Sequence, residues 1–243
     1  MRDTGGERAR RLFDERAASG SWAGLYRGPS TLRSHPFQAR FTAVERMLAQ
    51  IGSVECALDV GAGSCDFAPL VQDLGGWYAA LDTSIEMLRL GRDSKPGMFV
   101  QGEAEALPFS SGRFDLVLAL GLFGFLPELG PACREIARVL RPGGVLIAQG
   151  GKRDLWSRLG RPRRMDPTAV EQPVPPRRLD RALAAVGFAP VLRRYVDFIA
   201  LPRRFRERLP RTMIRASHAM GRMGPLFSPL ARSHVTMYRI PAV

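Results

Sequence analysis

Three loops carry the residues best suited to chemistry. The run Leu58-Asp59-Val60-Gly61-Ala62-Gly63-Ser64 follows a short apolar stretch and opens a helical one. Glycines in such a place let the chain turn sharply and bring its backbone against a ligand, because no Cβ intrudes. About 20 residues further on, Asp82 closes a second apolar stretch, where a carboxylate can accept both hydroxyls of a ribose. Asp82, Thr83 and Ser84 are also good N-caps for the helix that follows, so that reading stays open beside the first. The third loop is Gly102-Glu103-Ala104-Glu105-Ala106-Leu107-Pro108-Phe109. Its Glu103 carboxylate can accept from an adenine amino group, the next backbone N–H, at Ala104, can donate to a ring nitrogen, and Pro108 stiffens the turn. In register, the three loops make a nucleoside pocket. A pyrophosphate site is disfavoured, since position 66, where the third glycine of G-x-G-x-x-G belongs, is Asp66.

Positioning these loops requires an alternation of strands and helices. Strands are expected over Cys56–Val60, Trp77–Leu81, Met98–Gln101, Phe114–Leu120 and Val145–Gln149, with helices over Cys65–Leu74, Ser84–Gly91 and Pro131–Leu140. Such alternation implies right-handed crossovers and a parallel sheet covered on both faces. Upstream, residues 1–20 are polar and charged, compatible with disorder at their start. Phe37, Phe41, Val44, Met47, Leu48 and Ile51 fall at helical spacing in a segment ended by Gly52 and Ser53. Downstream, a helix over Leu179–Val186 and strands over Val191–Leu201 and Val235–Ile240 are expected. The two late strands flank an interrupted helical insertion at about 203–230 and are placed to pair antiparallel at the sheet edge. The expected fold is α/β: a Rossmann-like, doubly wound, seven-stranded sheet, mostly parallel with an antiparallel last strand. Residues 1–52 would form a helical cap, 53–151 the binding core, and 152–243 the rest of the same domain.

The stretches LDVGAGSCDF, LDTSIEML, GEAEALPF, FDLVLALG and REIARVLRPGGVLI, in that order over about residues 56–150, resemble the class I S-adenosylmethionine-dependent methyltransferase family, specifically its small-molecule branch. The resemblance implies S-adenosylmethionine as cofactor and no metal. It implies that the glycine loop, with Asp59, Gly61, Ala62 and Gly63, faces the methionine part, and that Asp82 with Thr83 holds the ribose. Glu103, standing where the family usually has Asp, would contact adenine beside Ala104. Met87 would pack on the adenine, and the backbone of Ala119 or Leu120 would meet the cofactor amino group. The segment 121–128 would border the reacting methyl. It lacks the Asn/Asp-Pro-Pro-aromatic motif, and Gly124 stands where many relatives have a polar residue or His. Phe123 and Phe125, with Trp156 further on, then suggest an apolar, aromatic acceptor pocket, although the two Phe also read as core. Near the N-terminal helix, Tyr26 and Arg40 are candidates to hold the cofactor carboxylate and His35 is a candidate base. His218 and His234 are weaker candidates.

Charge divides the chain. Residues 1–151 carry 16 Lys/Arg against 17 Asp/Glu, and residues 152–243 carry 20 against 6. That basic part favours an anionic partner. Its 203–230 segment alternates Arg with Phe205, Leu209, Met213, Ile214, Met220 and Met223. It reads as a solvated lid, as a peripheral contact with anionic membrane, or as an RNA contact. The last is disfavoured, because aromatic residues do not interleave with the basic ones. No run of about 20 apolar residues and no secretory signal is seen, and the three cysteines lack metal spacing, so a cytoplasmic location is expected. The expected function is methyl transfer from S-adenosylmethionine to a small molecule, aromatic or lipid-like. RNA methylation, or regulatory cofactor binding without catalysis, are the alternatives.

Overall fold

A computed structural model describes residues 5–22, 24–31, 33–92, 96–151, 172–198 and 211–242. In chain order the elements are α1 (Gly5–Ala18), α2 (His35–Leu48), β1 (Cys56–Val60), α3 (Ala68–Gln72), β2 (Trp77–Asp82), α4 (Ile85–Arg92), β3 (Met98–Gln101) and β4 (Phe114–Ala119). A 3-10 turn (Phe123–Phe125), α5 (Gly130–Val139), β5 (Leu140–Gly151), α6 (Pro176–Ala184) and β6 (Ala189–Val196) follow. The described chain then runs through α7 (Arg211–Arg222), a 3-10 segment (Gly224–Leu230) and β7 (Ser233–Arg239).

The strands form one seven-stranded sheet in the order β3-β2-β1-β4-β5-β7-β6. The first five strands pair in parallel, and β7 runs antiparallel between β5 and β6. This is the expected Rossmann-like sheet with its late antiparallel pair. Because both faces are covered, the central strands are apolar at almost every position rather than at alternate ones. In β4, Leu116 and Leu118 pack with Val44, Met47 and Val71 on the α2–α3 face. Val117 and Ala119 point the other way, against Cys133, Ile136, Leu179 and Leu183 of α5 and α6. The strand order reverses between β1 and β4, which opens a crevice at the carboxyl ends of these strands, the usual ligand position in such sheets.

One expectation is sharpened and two are corrected. Residues 5–18, read only as polar and charged at the start of the expected helical cap, form helix α1. Its polar composition hides a narrow apolar face, with Ala9 and Phe13 one turn apart. The helix expected from Cys65 begins only at Ala68, because Gly61, Gly63 and Cys65 all take positive φ (+73°, +53° and +55°), which holds the chain in a loop through that stretch. The strand expected over Val191–Leu201 ends at Val196, and Asp197 follows at φ +58°. Of the insertion, the described part is α7 and the 3-10 segment. Positions 203–210 lie outside the described residues, as does Trp156. No described helix is long and apolar enough to cross a membrane.

Candidate active site

The glycine loop is held from beneath. The N–H groups of Gly61 and Ala62 donate to the Leu81 carbonyl at 2.8 and 3.1 Å, tying β1's exit to β2's. At Gly63, a Cβ would lie 3.2 Å from Met87 Cε on a backbone already at φ +53°, so glycine is required twice over. Asp82 sits at the centre of this arrangement. Its Oδ2 accepts from the Gly63 N–H at 2.8 Å and its Oδ1 from the Ser84 N–H at 2.9 Å. The cap and the loop clamp are therefore simultaneous roles of one carboxylate. Burial raises its pKa, and the lone pairs left over border the cavity.

Asp59 is 1% exposed and accepts the Tyr78 hydroxyl at 2.8 Å. Burial pushes its carboxyl up to about 7, the nearby Asp82 and Asp66 carboxylates push the same way, and the Tyr78 hydrogen bond and Arg40 oppose the rise. A carboxylate poised there gains most from a cationic neighbour.

The Glu103 loop is stapled by α5. Leu107 N–H donates to Glu135 Oε2 at 2.8 Å. Arg138 donates to the Leu107 and Phe109 carbonyls at 2.9 and 2.7 Å and pairs with Glu135 at 2.7 Å. Gly102 N–H donates to the Asp82 carbonyl at 3.0 Å. Glu135 and Arg138 lie within the stretch REIARVLRPGGVLI but were not picked as site residues. Their i, i+3 spacing on one helix was the available signal.

Above the loops lies an aromatic cap. Phe13 of α1 meets Trp22 and Phe125 edge-on at 5.7 and 5.2 Å, and Phe37 meets Trp22 and Tyr26 at 5.3 Å each. Its polar ties include Ser84 Oγ donating to Asp14 at 2.5 Å and Trp22 Nε1 donating to Ser64 Oγ at 2.8 Å. Arg40, 8% exposed, lies over the Tyr26 and Phe37 rings at 5.5 and 5.0 Å. Its Nε has no hydrogen-bond partner among the described residues.

Loops and cap enclose a cavity of about 420 Å³, within the range of small-molecule sites. It brings together most of the residues picked from sequence: Asp59, Gly61, Ala62, Gly63, Asp82, Thr83, Glu103, Ala104, Leu120, Tyr26, Arg40 and Phe125 all line it. Phe13, Trp22, Phe37 and Gln149 line it as well and were not picked. The lining does not include Met87, which supports Gly63 from below, nor Ala119 and Phe123, both fully buried in the α5 face.

His35 is a clear departure. It does not line the cavity. Its Nε2 lies 2.9 Å from Ser217 Oγ of α7, and its ring stacks on His218 with centroids 5.4 Å apart. Burial, then His218, lower its pKa to about 4. It is a packed contact between α2 and α7. His234 is buried in β7, with Nδ1 3.1 Å from Thr236 Oγ1. Among the described residues no group of three or more His, Cys, Asp or Glu gathers to hold a metal.

The methyltransferase domain family matches residues 58–148. A malonyl-acyl-carrier-protein O-methyltransferase of Pseudescherichia vulneris is 30% identical over 138 residues, covering 56% of this chain and 53% of that protein. A demethylmenaquinone methyltransferase of Mycobacterium marinum is 37% identical over 103 residues, covering 42% of this chain and 44% of that protein. The chain thus spans about half the length of the curated relatives it matches. Among solved structures, the 4+2 cyclase SpnF aligns at TM-score 0.66 and 21% identity over 97% of this chain and 96% of that one. N-methyltransferase NodS of Bradyrhizobium japonicum, bound to S-adenosylhomocysteine, aligns at 0.66 and 12% over 96% and 99%. At such identities the structural likeness establishes the fold alone. Residues 58–148 therefore match the methyltransferase domain family, and the chain shares its fold with solved structures that include N-methyltransferase NodS.

Proposed function

We propose that this chain transfers the methyl group of S-adenosylmethionine to a small acceptor with an aromatic or apolar body. The observation that carries the reading is the convergence of Gly61–Gly63, Asp82 and Glu103, from three adjacent strand ends, on one cavity whose opposite wall is aromatic. When bound, the cofactor supplies a methyl group already activated on a sulfonium. The chain has to bind, align and exclude water.

Each of these tasks falls to particular residues. Asp82 is fixed by two backbone N–H groups and presents its remaining lone pairs to the ribose hydroxyls. Glu103, on the loop stapled by Arg138, accepts from the adenine amino group. Asp59 and the Leu120 carbonyl border the amino group of the methionine part. Arg40, a buried cation with an unmet N–H, together with Tyr26, holds its carboxylate. Phe13, Trp22 and Phe125 cover the methyl and keep water out. His35 has no part in this scheme, being turned away from the cavity. Relatives named for malonyl-acyl-carrier protein and for demethylmenaquinone support an acceptor other than nucleic acid. The test is calorimetry with S-adenosylhomocysteine, then a search of small-molecule extracts and RNA digests for products gaining one methyl. Binding followed by a methylated small molecule supports the reading, whereas a methylated RNA and no small product would replace it.

A second reading concerns delivery of the acceptor. Leu226 and Met223 are 74% and 56% exposed, next to α7 in the strongly basic last part of the chain. Exposed apolar side chains beside excess Arg suit an anionic bilayer surface, from which a lipid-like acceptor would be drawn. Flotation with vesicles containing phosphatidylglycerol, compared with phosphatidylcholine alone, tests it. Recovery with neither vesicle would dismiss it.

A further inference from the structure

We infer that Gln149 is a specificity-determining residue for the methyl acceptor, and that it selects acceptors carrying an O–H or N–H at the end that enters the site. This inference rests on the methyl-transfer reading above and names the chemical class of the second substrate.

The side chain is placed by strand periodicity. Residues two apart on a strand share a face, and Val145 and Ile147 of β5 pack on the α2 side of the sheet. Gln149 continues that row at the carboxyl end of the strand, where the apolar core gives way to the cavity it lines. Its amide is oriented. Nε2 donates to Ser233 Oγ at 2.7 Å, and the Ser233 hydroxyl spends its own proton on the Gly150 carbonyl at 3.3 Å. The amide nitrogen is therefore committed to β7. The amide oxygen is left over: Gln149 Oε1 is buried and has no donor among the described residues. A buried acceptor left unmet is costly, so a ligand that brings a donor to it gains affinity.

Gln149 Oε1 and Arg40 Nη1 flank the same point. A Cβ on Gly121 would lie 2.8 Å from the guanidinium nitrogen and 3.9 Å from the amide oxygen. Gly121 itself is at φ +81°, so the space between the two groups is kept clear of side chain.

Sheet order says which ligand the oxygen serves. From β2, which carries Asp82, the sequence of neighbours is β1, β4, β5. Three strand spacings make about 14 Å, too far for the ribose or adenine held at Asp82 and Glu103. The cofactor's amino group is met earlier along the row, at Asp59 on β1 and Leu120 after β4. The end of β5 lies beyond both, so on the methyl-transfer reading the entering end of the acceptor sits there, next to the cofactor carboxylate at Arg40. A neutral amide oxygen is no base, so Gln149 orients a protic group by accepting its hydrogen bond and the proton leaves to solvent. A donor-free ether has nothing to offer it.

The test uses the full-length protein saturated with S-adenosylhomocysteine and a matched pair of probes: 2-naphthol, which carries an O–H, and 2-methoxynaphthalene, which does not. Titration by ligand-observed NMR on the unaltered protein should show 2-naphthol bound at least fivefold tighter. Gln149→Met, close in shape and without the acceptor, should reduce that preference to less than twofold, while calorimetry shows S-adenosylhomocysteine affinity within twofold of the unaltered protein. Gln149→Glu, which keeps an acceptor oxygen, should keep the preference. Equal binding of the two probes, failure of 2-naphthol to bind, or an intact preference in Gln149→Met would overturn the inference. A tenfold loss of S-adenosylhomocysteine affinity in Gln149→Met would overturn it too, by giving the oxygen to the cofactor. Failure of the unaltered protein to bind S-adenosylhomocysteine is a different result and strikes the methyl-transfer reading instead.

Discussion

The two walls of the cavity are built differently. The floor, at the ends of β1 to β3, is fixed by hydrogen bonds from backbone N–H groups: Gly61 and Ala62 to Leu81, Gly63 and Ser84 to Asp82, Gly102 back to Asp82. The cap, contributed by α1 and the turn around Trp22, rests on edge-to-face rings and side-chain ties. The floor's bonds prolong the β1–β2 and β2–β3 pairing past the strand ends. The cap's ring contacts lie outside both main apolar clusters, so it can open locally at lower cost. This division suits a site that keeps a nucleoside in fixed geometry while a second substrate enters and leaves.

The contrast can be broken from either side. The largest effect is expected at the floor. Gly63→Val forces a branched side chain onto a left-handed backbone and into Met87. Strain of about 1–3 kcal/mol, plus displacement of the loop, should lower S-adenosylhomocysteine affinity at least about 100-fold by calorimetry. Arg138→Ala removes the staple on the Glu103 loop. Losing a part-buried, charge-assisted hydrogen-bond cluster of this kind costs about 1–3 kcal/mol, so we expect a lower Tm in thermal unfolding and affinity reduced by about tenfold. Trp22→Phe acts on the cap alone. It deletes the 2.8 Å bond to Ser64, worth about 1 kcal/mol. Faster S-adenosylhomocysteine release in stopped flow, about fivefold, should come with an unchanged Tm. A fall in Tm as large as that of Arg138→Ala would erase the distinction between the walls.

The smallest expected effect is a pH dependence from Asp59. Burial raises its pKa from 3.8 to about 7 in the fold, so between those values the folded chain holds a proton that the unfolded chain has released. Stability from this group is therefore complete below about pH 4 and declines as pH rises through 7. Asp82, also raised by burial, adds a contribution of the same sign. A cationic ligand group beside Asp59 favours its ionised form, so S-adenosylhomocysteine affinity should rise over the same interval. Tyr78→Phe removes the hydrogen bond that holds the pKa down and should move that rise to higher pH. Calorimetry at a series of pH values checks both statements.

The floor was legible in the sequence and most of the cap was not, for a physical reason. Each floor element is local: a glycine pair after an apolar strand, an acid at a strand end, an acidic loop closed by proline. The cap is tertiary. Helix α1 shows little apolar periodicity because it covers a ligand cavity more than a core, leaving Ala9 and Phe13 as its main marks. Glu135 and Arg138 act on a loop some 30 residues away, and Gln149 is recognisable only from its unmet oxygen. His35 and Arg40 illustrate the limit. Both were chosen for nearness in sequence to the pocket, yet five residues on a helix are about 140° apart around its axis. Arg40 meets the cavity, and His35 meets α7.

Asp82 clamps the glycine loop, and we propose that the same carboxylate grips the ribose of S-adenosylmethionine. Calorimetry with S-adenosylhomocysteine on the unaltered chain and on Asp82→Ala tests it most directly. One site per chain and a loss of at least about tenfold in the variant are expected, as for hydrogen bonds to a charged group. No heat of binding in the unaltered chain, or equal affinity in the two, would contradict it.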